Sequence, residues 1–293
     1  MRPRKRFAQH WLRSEAALQA IVTAADLTPQ DRVLEIGPGQ GALTERLLSQ
    51  AGAVLAVELD RDLGPNLVRR FGDHDNFLLL QGDILELNLG ATLRDFPRFQ
   101  QPNKVVANIP YNITGPLLQW LLGTIGHPVQ PAYDCLVLLV QQEVAERLCA
   151  APSSKAFGAL SVRVQYLATG ELICSVPPRA FSPPPRVNSA VVRLRPRTLA
   201  APAREPHHLE RLLKLGFSSR RKMLRNNLQA MLSSEVLQAH LEALGLNPQA
   251  RAENLGLSDW IALSDRLVAD QAPAGDRPPS PPGEGSFTTP LPE

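Results

Sequence analysis

Short apolar runs alternating with helix-length segments predict an α/β chain built on a parallel sheet with helices on both faces. Two observations carry this expectation. Strand-sized apolar runs occur at 32–36, 53–57, 77–80, 105–107 and 135–140, each separated from the next by a longer polar or amphipathic stretch. Gly37, Glu58, Asp83 and Asn108 fall just after four of those runs. Four turn-forming or polar positions therefore share the carboxyl edge of the sheet, where ligands of such sheets bind.

Each element has a local reason. Residues 14–25 are rich in Ala and Leu and read as a helix with Ser14 as N-cap. Arg32 to Ile36 reads as the first buried strand, and Gly37, Gly39 and Gly41 turn the chain into a helix near 41–51. Ala53 to Val57 is the second strand and ends at Glu58, and a helix near 61–71 leads to the third, Phe77 to Leu80, followed by Gly82 and Asp83. Val105-Val106-Ala107 is the fourth; a helix near 114–123 and a strand at 135–140 follow. After residue 196 the pattern changes. Thr198 to Pro206 reads as a linker, and 207–216, 219–232, 234–243 and 258–268 show helical periodicity. The expected organisation is an α/β domain over 1–197, a small all-helical domain over 198–271, and a Pro-rich tail, 272–293, expected to be disordered.

The net charge of +3 is modest for 293 residues, but its distribution is uneven. Arg2, Arg4, Lys5, Arg6 and Arg13 crowd the N-terminus without an acid; Arg179, Arg186, Arg193, Arg195 and Arg197 form a second cluster. Arg211, Lys214, Arg220, Arg221, Lys222 and Arg225 form a third. Three such clusters point to a polyanionic partner, although any one alone is equally a solvated face. No run approaches a membrane span, and the basic N-terminus lacks the apolar core of a signal peptide. Cys135, Cys149 and Cys174 have no paired metal spacing and read as reduced thiols, so a cytoplasmic protein is expected.

The glycine loop is the first half of a candidate site. Its spacing is Gly-x-Gly-x-Gly rather than the dinucleotide Gly-x-Gly-x-x-Gly, and Pro38 removes an amide that a pyrophosphate could use. That favours S-adenosylmethionine, which carries no phosphate, over a nicotinamide dinucleotide. Glu58 could accept both ribose hydroxyls, and Asp83 the adenine amine of the cofactor. Either acid alone is as well read as a solvated loop residue; in register with the loop they are not.

Asn108-Ile109-Pro110-Tyr111 is the second half. An adenine amine is a poor nucleophile because its lone pair is delocalised into the ring. Hydrogen bonds from its protons to the Asn108 side-chain oxygen and the Ile109 carbonyl would localise that pair. Pro110 fixes the backbone, and Tyr111 offers a stacking face worth roughly 1–3 kcal/mol per base. A paired adenine must first leave its stack. Methyl transfer from sulfonium to nitrogen is an in-line displacement that requires no metal. Taken alone, the tetrad reads more simply as a proline turn with a half-buried tyrosine. Phe181, ahead of Ser182-Pro183-Pro184-Pro185-Arg186, is a candidate second stacking surface, with a packed Phe in a Pro-rich connector as the plainer reading.

Several motifs then occur in order: Lys5 to Leu12, the glycine loop, Val57 to Asp60, Gly82 to Ile84, Asn108 to Ile113, Phe181 to Ser189 and Phe217 to Asn227. Over about residues 4–268 the chain resembles the bacterial small-subunit ribosomal RNA adenine dimethyltransferases, which convert two adjacent adenines near the 3′ end of 16S rRNA to N6,N6-dimethyladenine. The resemblance implies a Rossmann-like class I methyltransferase sheet with a C-terminal helical domain. It implies that His10 and Leu12 close over the cofactor, that Gly37, Glu58, Asp83 and Asn108 bind it, and that Asn108 and Tyr111 handle the target base. It further implies that Ser218 to Arg225 helps grip the 16S rRNA of the 30S subunit or its precursor. A monomer is expected. Ala8, Trp11 and Ile109 depart from the usual Gly, Phe and Leu without removing a chemical group. The related 23S rRNA resistance methyltransferases are the nearest alternative; a ribosome-assembly factor acting by binding is another.

Overall fold

Side chains alternate across a strand, so a strand buried on both faces reads as an unbroken apolar run. That explains the sequence of β2 (Arg32–Ile36), β3 (Ala53–Glu58), β5 (Lys104–Asn108) and β6 (Cys135–Gln141). Val33, Val54, Val106 and Val137 join one buried cluster with Leu18 and Ile21 of α1 (Glu15–Ala25), Leu47 of α2 (Thr44–Leu48) and Phe71 of α3 (Gly64–Phe71). Leu34, Leu55, Val105 and Leu136 join the other with Leu117 and Leu121 of α5 (Thr114–Leu122) and Leu148 of α6 (Gln142–Leu148). Helices thus cover both faces. The computed structural model describes residues 10–271; the basic positions Arg2 to Arg6, Ala8 and the tail expected to be disordered, 272–293, lie outside the described residues.

With β4 (Phe77–Gln81), β7 (Ala168–Val176) and β9 (Ser189–Pro196), the sheet order is β4-β3-β2-β5-β6-β9-β7. The first five strands are parallel. The chain winds outward from β2 through β3 to β4, then crosses back to β5 on the other side of β2. The strand order therefore reverses between β2 and β5, which opens a crevice at their carboxyl ends. The remaining two strands correct the wholly parallel expectation. The chain passes from α7 (Ala159–Leu167) straight into β7 (Ala168–Val176), and returns in β9 (Ser189–Pro196), antiparallel to both β7 and β6.

The connection between β7 and β9 carries β8 (Phe181–Ser182), which pairs antiparallel with β1 (Trp11–Leu12): Trp11 opposes Ser182 and Leu12 opposes Phe181. The Arg13 N–H donates to the Ala180 carbonyl at 2.8 Å. Ser14 caps α1 as expected, accepting from the Ala17 N–H at 3.3 Å.

Four longer helices end the described chain: α8 (Pro206–Gly216), α9 (Leu224–Leu228), α10 (Ser234–Ala243) and α11 (Leu257–Gln271), with the short α4 (Leu89–Thr92) lying earlier. The helix expected over 219–232 is cut to α9. Asn227 is buried, and its Nδ2 donates to the carbonyls of Gly216 at 2.6 Å and Ser219 at 2.9 Å, folding the α8–α9 connection into a turn. Leu209, Leu224, Leu241 and Trp260 continue the buried cluster on one face of the sheet rather than forming a separate one. Arg220 joins the two regions through its guanidinium, which donates to the carbonyls of Lys155 at 2.7 Å and Phe157 at 3.1 Å and pairs with Glu253 at 3.3 Å.

Candidate active site

A cleft of about 350 Å³ lies where β2 and β5 diverge. Gly37 and Gly39 from the loop after β2 line it, with Glu58 from β3, Asp83 after β4, and Asn108 and Tyr111 from β5 and its sequel. The loop needs its glycines: Gly37 has φ +72°, and Gly41 has φ +82° with the space of a Cβ only 2.4 Å from the Phe71 ring.

The Glu58 carboxylate braces the loop. Its Oε2 accepts the Gly39 N–H at 3.1 Å and its Oε1 the Asp60 N–H at 2.8 Å. Burial raises its pKa, opposed by those amides and helped by the charge of Asp60. Asp83 holds its own turn, accepting the Leu85 N–H through Oδ1 at 2.9 Å.

On the other wall, the Ile109 N–H donates to the Leu139 carbonyl at 3.1 Å, pinning the start of the tetrad to β6. The Asn108 Nδ2 donates to the His10 carbonyl at 3.1 Å. A carbonyl only accepts, so the amide must present its nitrogen to His10 and its oxygen elsewhere. The Tyr111 hydroxyl lies 2.6 Å from that of the fully buried Ser189, and burial raises its pKa. The Tyr111 and His10 rings face each other with centroids 5.9 Å apart and planes 25° from parallel.

Of the residues expected at the site, His10, Gly37, Glu58, Asp83, Asn108, Ile109, Pro110 and Tyr111 all line the cleft. Leu12 does not; it is buried and lines an adjoining cavity of about 330 Å³ with Glu35, Pro38 and Gln40. Trp11, Gly37, Gly39 and Asn108 line both cavities. Phe181 is also absent from the cleft. Its backbone is fixed by pairing with Leu12, and its ring, in a residue 5% exposed, packs in the cluster around α1.

Sequence reasoning placed Glu35 and Ser189 within motifs but gave neither a role of its own. Glu35 is 1% exposed, its Oε2 has no hydrogen-bond partner among the described residues, and burial, reinforced by Glu58, pushes its pKa to about 8. An acid inside an apolar strand was the available signal. Ser189 offered none, because its partner is 78 positions away. No cluster of three or more His, Cys, Asp or Glu side chains able to hold a metal occurs among the described residues.

The chain is similar to known proteins of one family. Residues 1–268 match the family described as "Ribosomal RNA adenine dimethylase". The chain is 60% identical over 267 residues to the "Ribosomal RNA small subunit methyltransferase A" of Trichormus variabilis, covering 91% of this chain and 98% of that one. It is 60% identical to the protein of the same name from Synechococcus elongatus, covering 91% and 96%. Among solved structures, a dimethyladenosine transferase from Plasmodium falciparum superposes with TM-score 0.71 at 26% identity, covering 89% of this chain and 98% of that one. The 23S rRNA methyltransferase ErmE superposes with TM-score 0.69 at 26% identity, covering 88% and 99%.

Fold and site define an RNA-modifying methyltransferase of class I architecture. Within that class, the chain belongs to the ribosomal RNA adenine dimethylase family. It is a ribosomal RNA adenine dimethyltransferase.

Proposed function

We propose that the cleft holds the adenosyl end of S-adenosylmethionine at Glu58 and Asp83 and the target adenine at Asn108 to Tyr111. The acceptors on this reading are two adjacent adenines near the 3′ end of 16S rRNA, in the 30S subunit or its precursor. The cofactor fits what the cavities present. Two spaces meet at the glycine loop, one beside Glu58 and Asp83 and one beside Glu35 and Gln40, suiting a ligand with a nucleoside at one end and an amino acid at the other. Glu58 and Asp83, beside a loop that includes Pro38, favour a cationic ligand and disfavour a pyrophosphate.

Bound there, S-adenosylmethionine supplies an electrophilic sulfonium methyl. The protein's own part is positioning, which is worth about 7–11 kcal/mol at best. The His10 carbonyl turns the Asn108 oxygen outward to accept a proton of the adenine amine. Pro110, with φ −57°, fixes the backbone that presents the Ile109 carbonyl as the second acceptor. Tyr111 holds the base by its face, with its hydroxyl tethered to Ser189. The observation that carries this reading is the Asn108–His10 bond, because it aims an acceptor in the same cleft as Glu58 and Asp83.

Exposed Arg179, Arg186, Arg221 and Lys222 would contact rRNA phosphates. We take the enzyme to act as a cytoplasmic monomer; among the described residues no helix is long and apolar enough to cross a membrane. Primer extension across the 3′ end of 16S rRNA tests the reading in a strain lacking the gene. The stop that dimethyladenine causes should vanish on deletion and return with the wild-type gene, and a stop that survives deletion overturns it.

A further inference from the structure

We infer that His127 and His207 form a two-histidine site for a divalent cation of the kind imidazole prefers, zinc, nickel or copper. The site lies at the seam between the α5–β6 connection and the first turn of α8. Neither residue lines the cleft, and nothing in this inference rests on the proposed function.

The two rings stand at the spacing that one shared ion requires. Their centroids are 4.7 Å apart and their planes 58° from parallel. An imidazole nitrogen binds zinc at about 2.0–2.1 Å along the line from the ring centre, so the centroid lies about 3.2 Å from the ion. Two such centroids stand about 4.5 Å apart at a right-angled N–metal–N and about 5.2 Å apart at a tetrahedral one. The observed spacing falls between these values. The tilt suits the same arrangement. Nitrogen lone pairs lie in the ring plane, so rings stacked face to face aim them past each other, whereas crossing planes can share an ion. Both residues are exposed. A half-turn about the Cβ–Cγ bond exchanges the ring edges, so each ring can present a nitrogen while its backbone stays in place.

The backbones on both sides are fixed. The His127 N–H donates to the Thr124 hydroxyl at 3.1 Å, and the Thr124 N–H donates to the His127 carbonyl at 3.0 Å. The Val129 N–H closes the connection on the Leu122 carbonyl at 3.1 Å, and Ile125 is buried beneath it. His207 follows Pro206 at the start of α8, and Leu209 anchors that turn in the core. Gly126 completes the seat. A Cβ there would fall 2.4 Å from Cε1 and Nδ1 of His207, so that ring rests on bare backbone beside His127.

Imidazole nitrogen suits zinc, nickel and copper, whereas magnesium and calcium take oxygen ligands. Among the described residues no third His, Cys, Asp or Glu joins the pair, which leaves the other coordination positions to water. A bound ion staples the helical end of the described chain to the α5–β6 connection, a second link beside the one Arg220 makes.

The test is calorimetric titration of the full chain, without a histidine tag, with nickel chloride alone. S-adenosylhomocysteine affinity serves as the check of folding. The tightest site should take one nickel per chain. His127→Ala and His207→Ala should each weaken it at least about tenfold, the least that loss of a supporting group costs a metal site. The double variant should be no weaker than either single one, because one ligand lost already breaks the chelate. Gly126→Ala keeps both imidazoles but displaces the His207 ring, and should weaken nickel several-fold. His74→Ala, which removes an exposed histidine elsewhere, should change nothing. Magnesium chloride should give no heat at this site, and nickel affinity should fall from pH 8 to pH 6 as protons compete for the imidazoles. Nickel affinity at the wild-type value in either single variant would overturn the inference and leave the two rings as a packed pair. Losses that add in the double variant would also overturn it, since each ring would then bind its own ion.

Discussion

The Tyr111 hydroxyl lies 2.6 Å from the hydroxyl of Ser189, tying the turn after β5 to the first residue of β9. The bond joins two motifs that are far apart in the chain, and it fixes the ring through the atom that stacking does not use. Removing the ring and removing the tether should therefore differ. Tyr111→Ala should reduce kcat/KM for 30S roughly 5- to 150-fold, in line with about 1–3 kcal/mol for a lost stack. Tyr111→Phe keeps the face and loses only the tether, and should cost less than about tenfold. Ser189→Ala should match Tyr111→Phe, and the double variant should be no worse than either single one, as a double-mutant cycle would reveal.

Glu35 predicts a pH dependence of stability. Its carboxyl is pushed from the usual 4.5 to about 8 when folded, by burial and then by Glu58. Between those values the folded chain keeps a proton that the unfolded chain has lost. Stability from this group is therefore full below about 4.5, falls as pH rises, and levels off above about 8. Glu35→Gln holds the neutral shape at every pH. Melting temperatures measured from pH 5 to 9 should show wild type losing ground to Glu35→Gln up to about pH 8 and running parallel to it above, and curves parallel throughout would refute the buried neutral acid.

Arg220 and Lys222 sit two positions apart in one basic run but should behave differently. Arg220 is held by the carbonyls of Lys155 and Phe157 and by Glu253. Arg220→Ala should lower the free energy of unfolding by about 1–2 kcal/mol without RNA present. Lys222 is exposed. Lys222→Ala should leave unfolding unchanged, weaken 30S binding, and lower the slope of log affinity against log salt by about one. Equal effects of both variants on urea unfolding would remove the distinction.

Much of the fold was legible because burial on both faces leaves an unbroken apolar run, and β2 was read to its residue, Arg32–Ile36. The β7–β9 pair was not anticipated. β9 does carry an apolar run, Ala190 to Val192, but β7 lies at the sheet edge with Thr169 to Leu172 exposed, so it gives no strand-like burial pattern. The cleft was legible for a different reason. In a parallel sheet all strand ends share one edge, so Gly37, Glu58, Asp83 and Asn108 needed no knowledge of pairing to be placed together. What depended on long-range contact was hidden. The paired strands β1 and β8 are two residues each, and they help bring His10 to Tyr111 and hold Phe181 away from the cleft.

On the proposed reading, Asn108, turned by the His10 carbonyl, offers its oxygen to the amine of an adenine in 16S rRNA. The most direct test is mass spectrometry of the 3′ end of 16S rRNA after incubating unmodified 30S particles with saturating S-adenosylmethionine and either wild type or Asn108→Ala. Wild type should convert two adjacent adenines to N6,N6-dimethyladenine, and Asn108→Ala should yield at most about one hundredth of the wild-type rate, the scale of a lost positioned acceptor. Dimethylation by Asn108→Ala at the wild-type rate would contradict the account.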